Sequence, residues 1–184
     1  MVKVFYCDIT HCIDFEKFII FFDNLRKDYV LSIKDLKRKK QSVLVWKLLS
    51  FCLEKYFSIE KPTYSLSNDG VWSLEDKSFL FSLSHSENFV AVAISDNNIG
   101  VDVEKYDDKI LKLRNKFDYQ GDDKLVISLL TTEWTKRESL FKAKFGNNFF
   151  NKDLCDEDGN IYCLTVCTDY DFANFIPIDI NELI

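Results

Sequence analysis

Asp102 and Glu104 stand two residues apart in IGVDVEK (99–105), inside an otherwise apolar run. In an extended segment alternate side chains share a face, so the two carboxylates project together and Ile99, Val101 and Val103 project the other way. Such a strand is either an ordinary amphipathic one, with its acidic face in water, or half of a cation site. Two like charges so close repel unless something positive lies between them, and a divalent metal is one candidate.

A second chemically able stretch is TTEWTKRESLFKAKFG (131–146), which reads as a helix with Thr131 or Thr132 as its cap and Gly146 as its stop. The spacing predicts a buried stripe through Trp134, Phe141 and Phe145 and a polar face through Thr135, Lys136 and Ser139, which places Glu138 within the stripe. A carboxylate on an inner face needs a partner, because burying it unpaired costs several kcal/mol. Asp102, Glu104 and Glu138 together form a hard-oxygen set suited to Mg2+, an ion that takes a few carboxylates plus water and phosphate oxygens. Lys142, one turn beyond Glu138, points toward the same phosphates. His85, in Ser84-His85-Ser86, fits a phosphate-facing role better than a hydrolytic one, since the chain has no GxSxG elbow.

A cationic cluster, IKDLKRKK (33–40), stands out against a net charge of −6. It is either a solvated helix face or a local anion site. The overall sign argues against broad nucleic-acid binding.

The elements that must position these residues read as follows. VKVFYCDI is a strand. Asp14 caps a helix carrying Phe15, Phe18, Ile19, Phe22 and Leu25, and a second helix runs from Lys34 to Phe57 with a central apolar part. FLFSL is a strand with Phe79, Phe81 and Leu83 on one face. Ser84-His85-Ser86 forms a corner, FVAVAIS is a buried strand, and Asp96-Asn97-Asn98 turns it into IGVDVE as a hairpin. Residues 105–130 read as less regular, and the chain closes with a DEDG turn (156–159), the strand IYCLTVCTD and a strand near FANFIPI. Clustered helices and antiparallel strands indicate an α+β fold.

Hydrophobic residues make up 47% of 184, with 17 Phe, 8 Tyr and 3 Trp, so the chain is long and apolar enough to bury a core. Its apolar runs are too short to span a membrane, and no secretory leader is apparent, so cytoplasmic residence without membrane attachment is expected. The six cysteines form no CxxC pair and read as reduced thiols.

FSLSHSENFVAVAISDNNIGVDVEK (81–105) followed by WTKRESLFKA (134–143) resembles the Sfp-type 4′-phosphopantetheinyl transferases. The family carries a Ser-His-Ser element, a G-[IV]-D-[IV]-E strand and a W-x-x-K-E-[AS]-x-x-K helix, here in that order over about residues 80–145. The resemblance implies two similar α/β halves related by a pseudo-twofold: 1–98 with the 3′-phosphate and Ser-His region, and 99–184 with the metal-binding motifs. It implies coenzyme A bound between the halves and Mg2+ held by Asp102, Glu104 and Glu138. His85, Ser84 and Lys142 would contact phosphates, Lys34, Lys37 and Arg38 the 3′-phosphate, and Glu138, Lys142 and His85 would be the catalytic group.

The reaction implied is attack by a serine of an apo acyl or peptidyl carrier protein on the β-phosphate of coenzyme A, releasing 3′,5′-ADP. A carboxylate or metal-bound water would take the proton. A monomer is expected from the two internal halves. The alternative is a coenzyme A- or carrier-binding homologue with weakened catalysis. A Mg2+-dependent phosphohydrolase is a third reading that lacks a visible base. Three positions depart from the family pattern: Gly70-Val71-Trp72 stands where G-K-P is common, Arg137 replaces the lysine before the helix glutamate, and the acid expected in RNKFDYQGDD has no clear counterpart beyond Asp122 or Asp123.

Overall fold

A computed structural model describes residues 1–183. The chain runs β1 (Val2–Asp8), a 3-10 turn (Phe15–Phe21), α1 (Asn24–Ser32), α2 (Leu36–Phe57), β2 (Tyr64–Leu66), β3 (Trp72–Leu74), β4 (Leu80–Ser86), β5 (Phe89–Ser95) and β6 (Ile99–Lys105). A second 3-10 turn (Asp108–Leu113) leads into α3 (Arg114–Phe117), α4 (Asp123–Ala143), β7 (Asn148–Cys155), β8 (Ile161–Thr168), β9 (Asn174–Pro177) and α5 (Ile180–Leu183). The fold is α+β. Three sheets form: β4-β5-β1-β9, the small hairpin β2-β3, and β6-β8-β7. All pairings are antiparallel except β1 with β9.

Alternation along the strands sets the layers. Val90, Val92 and Ile94 of β5 pack under α2 with Val43, Leu44, Trp46, Leu48, Leu49 and Leu53. The opposite face of that sheet presents Val2, Val4, Phe89, Ala91 and Ala93 to Ile99, Val101, Val103, Leu164 and Val166 of the second sheet. The far face of the second sheet carries α4, whose buried residues include Thr131, Thr135, Ser139 and Ala143. Its approach is close: a Cβ on Gly100 would fall 1.9 Å from the Ser139 carbonyl oxygen and 2.6 Å from the Ala143 nitrogen. Thr135 and Thr165 hydroxyls meet at 2.7 Å across this contact.

Several expectations are corrected. FVAVAIS and IGVDVE are not a hairpin: β5 pairs with β4 and β1, β6 pairs with β8, and the 96–98 turn carries the chain from one sheet to the other. Ser84-His85-Ser86 is no corner but the end of β4, and the reversal falls at Glu87, whose φ is +48°. The helix expected after Asp14 is two elements, because Asp23, not Asp14, accepts a capping hydrogen bond, from the Arg26 backbone, and restarts the helix. Helix α2 starts at Leu36 behind the cap Asp35. Helix α4 begins eight residues before Thr131, behind the cap Asp122, so part of the supposedly irregular 105–130 segment is helical. Its stripe is also inverted. Phe141 and Phe145 are 81% and 71% exposed, whereas Thr135 and Ser139 are fully buried.

All six cysteines are free, and only Cys155 is exposed. Among the described residues no helix is long and apolar enough to cross a membrane.

Candidate functional site

Strand β4 is the edge of its sheet, and β6 runs beside it at the seam between the two large sheets. Because neighbouring side chains on a strand point oppositely, Ser84 and Ser86 face β6 while His85 faces the α2 side. A cleft of about 500 Å3 at this edge is lined by Ser84, His85, Asp102, Glu104 and Lys142, and by Arg26 and Trp72.

Asp102 is buried, and its Oδ1 accepts hydrogen bonds from Lys142 Nζ at 2.7 Å and Ser84 Oγ at 2.9 Å. Lys142 also donates to the Val101 carbonyl at 2.9 Å and to Ser84 Oγ at 3.3 Å. Asp102 Oδ2 is buried without a hydrogen-bond partner among the described residues. Burial pushes the Asp102 carboxyl up from its ordinary range, opposed by the Lys142 ammonium and the Ser84 hydroxyl. Glu104 accepts from Ser86 Oγ at 2.9 Å. Its carboxyl is also pushed up, first by burial and next by the Asp102 charge, with a smaller push from Glu138. Glu138 is half-buried on α4, one turn before Lys142, and makes no ion pair among the described residues. It flanks the buried face instead of lying within it, a correction that follows from the inverted stripe.

Basic residues also border the cleft. His85 is pushed down by burial, and then by the charges of Lys142, Arg38 and Arg26, so the imidazole is neutral at pH 7 in a positive surrounding. Arg38 thus reaches the electrostatic neighbourhood of His85 from the exposed start of α2. Lys37 pairs instead with Glu87, and Lys34 is exposed; neither lines the cleft.

Sequence reasoning missed Arg26. It is 4% exposed, its guanidinium lies 4.3 Å from the Trp46 ring and 4.9 Å from that of Tyr29, and it donates to the Ser42 hydroxyl and carbonyl. Its Nε is buried without a partner, and no carboxylate pairs with it among the described residues. Burial pushes Arg26 down to about 10, which leaves it charged at neutral pH. A buried cation without a counter-ion at a cleft wall calls for an anionic ligand. Nothing in the sequence singles it out, since an arginine three residues after an aspartate is a common pattern.

Glu104 also borders a second cavity, of about 300 Å3, with Trp134, Lys105, Lys109, Lys112 and Leu113 on its walls. Asp122 and Asp123 stand outside both cavities: the first caps α4 and the second pairs with Arg114 at 3.0 Å. Arg137 pairs with Glu133 and stacks on Phe117. Trp72, from the Gly70-Val71-Trp72 turn, lies 5.7 Å from the Arg26 guanidinium.

Among the described residues no three His, Cys, Asp or Glu side chains stand together as a metal-binding group. The chemistry of the donors nevertheless fits a hard divalent ion, since two carboxylates line one cleft, a third adds its charge to theirs, and Asp102 presents an unpartnered oxygen. No protein-family model matches the chain, and no curated protein matches it.

Proposed function

We propose that the chain transfers the 4′-phosphopantetheinyl group of coenzyme A to a serine of an apo carrier protein, in a fold of two similar halves like that of the Sfp-type transferases. The observation that carries the reading is the cleft at the β4–β6 seam. Carboxylates of Asp102 and Glu104 line it together with the unpaired Arg26 and neutral His85. That distribution suits a diphosphate accompanied by a divalent ion. In support of the two-halves reading, each large sheet carries one long helix, α2 on the first and α4 on the second.

Asp102, Glu104 and Glu138 would hold Mg2+, which when bound offsets the charge of the diphosphate. Arg26, with Arg38 behind it, binds the terminal phosphate end of coenzyme A. His85 donates a hydrogen bond to a phosphate oxygen from its neutral ring. Lys142 leaves Asp102 for the diphosphate and stabilises the charge that develops on the leaving phosphate. The carrier serine oxygen forms a bond to the β-phosphorus, the bond from that phosphorus to the bridging oxygen of 3′,5′-ADP breaks, and the serine proton passes to a carboxylate of the set. The Trp134 cavity, ringed by Lys105, Lys109 and Lys112, gives an acidic carrier its approach to Glu104.

The test is incubation with coenzyme A, Mg2+ and several apo carrier proteins, followed by intact mass measurement of the carrier. A gain of one phosphopantetheine by the native chain, absent with Asp102→Ala and Glu138→Ala, is expected. Coenzyme A binding with no mass gain on any carrier would replace the transferase reading with binding alone, a reading favoured by the Asp102–Lys142 ion pair and the missing G-K-P lysine.

A further inference from the structure

Ser82, Ser84 and Ser86 share the face of β4 that meets β6, and each hydroxyl accepts one backbone N–H from the edge of β6. The distances are 3.0 Å from Val101, 3.2 Å from Val103 and 3.3 Å from Lys105. These three N–H groups point away from β8, and the serines supply the acceptors that a neighbouring strand would otherwise offer. A hydroxyl has a single proton and two lone pairs, so each rung keeps its proton for a second partner.

The second partners follow a repeat. Ser84 takes the Val103 N–H and donates to Asp102, and Ser86 takes the Lys105 N–H and donates to Glu104, both at 2.9 Å. Ser82 takes the Val101 N–H, but the residue preceding Val101 is Gly100, which has no side chain because α4 lies against it. The ladder therefore contains two rungs that hold a carboxylate and one that does not.

We propose that Ser84 and Ser86 are positioning residues that aim Asp102 and Glu104 into the cleft, whereas Ser82 serves the seam alone. The inference rests on the metal and phosphate reading above. Each hydroxyl is pinned by the N–H of the residue that follows its carboxylate, so the carboxylate is tied to the backbone of its own strand through one oxygen. Ser86 is the cleaner case, because Asp102 is also held by Lys142.

The test is Mn2+ binding, followed by electron paramagnetic resonance with and without coenzyme A, on the full chain and on Ser82→Ala, Ser86→Ala, Ser86→Thr and Ser86→Cys. Loss of such a supporting hydrogen bond weakens metal binding by about 10-fold or more. Ser86→Ala is expected to show that loss and Ser86→Thr to restore binding. Ser82→Ala is expected to bind Mn2+ as the native chain does while melting lower. Ser86→Cys fills the position with a poor donor and reads the same loss should the alanine variant not fold. Equal affinity of the native chain and the Ser86 variants, or an equal loss in Ser82→Ala, overturns the positioning role alone. A native chain that binds no Mn2+ under either condition overturns the metal reading and this inference with it.

Discussion

Helices α2 and α4 each lie along one large sheet, yet they do so with opposite means. Helix α2 buries Val43, Leu44, Trp46, Leu48, Leu49 and Leu53 and so supplies the bulk of its core. Helix α4 meets its sheet through Thr131, Thr135, Ser139 and Ala143, which recur at every fourth position and leave almost no side chain between helix and strand. The first arrangement maximises apolar area removed from water. The second sacrifices area for proximity, and proximity is what lets a lysine from α4 reach an aspartate on β6. Stability is concentrated on one side of the molecule and alignment of reactive groups on the other.

Four substitutions break or sharpen that contrast. Gly100→Ala should act most strongly, since its Cβ meets helix backbone at both contacts and neither helix nor strand can yield locally. A loss above ~4 kcal/mol, or failure to fold, is expected in denaturant titration, and a stable variant would mean that α4 does not need its close seat. Leu49→Ala in α2 should cost about 2–5 kcal/mol by the same measurement, as for other fully buried leucines, with the proposed transfer per folded molecule unchanged.

Glu104→Gln should move stability the other way. The folded carboxyl holds its proton to higher pH than the unfolded one, so between about pH 4.3 and its raised value the native chain loses stability as pH rises. The glutamine variant has no such loss. It should melt a few degrees above the native chain at pH 7 and level with it once the pH falls below the ordinary glutamate range, while the proposed transfer is abolished. Parallel melting curves at all pH values would place the Glu104 carboxyl in an environment like water. The smallest effect is expected for Phe141→Ser, at most about 0.5 kcal/mol, because the ring is largely in solvent.

That last residue also shows where the sequence misled. Strands β1, β4, β5, β6 and β8 and the whole apolar span of α2 were legible, since their patterns rest on large residues with one obvious place to go. Phe141 on α4 and Phe145 just beyond its end carry the same signal and are exposed. The true contact face is threonine, serine and alanine, which reads as polar surface, and only Gly100 on the opposing strand hints that something must come near. Strand β7 escaped notice because Asn148, Asn151, Lys152 and Asp153 dilute its alternation at the sheet edge.

Within the site, Asp102 and Glu104 were legible from strand spacing and Lys142 from helical spacing, whereas Ser84 entered only with the family resemblance and His85 by its chemistry. Arg26 was not, since a buried cation announces itself only through what surrounds it. The basic start of α2 was conspicuous by charge, yet of its residues only Arg38 makes itself felt at His85.

Strand β9 runs parallel to β1 through Lys3–Tyr6 and Asn174–Pro177, followed by an Ile178 N–H bonded to the Tyr6 carbonyl. The first strand of the chain thus finds one of its two neighbours some 170 residues later. Pairings of such sequence separation carry a heavy loop-closure cost and slow folding. A ribosome making this chain would hold β1 half-paired until residues 174–177 had emerged. A cut in the 96–98 turn, although it lies between the sheets, would yield two fragments that each lack a strand or a partner, so the halves are expected to fold as one cooperative unit and not as separable modules.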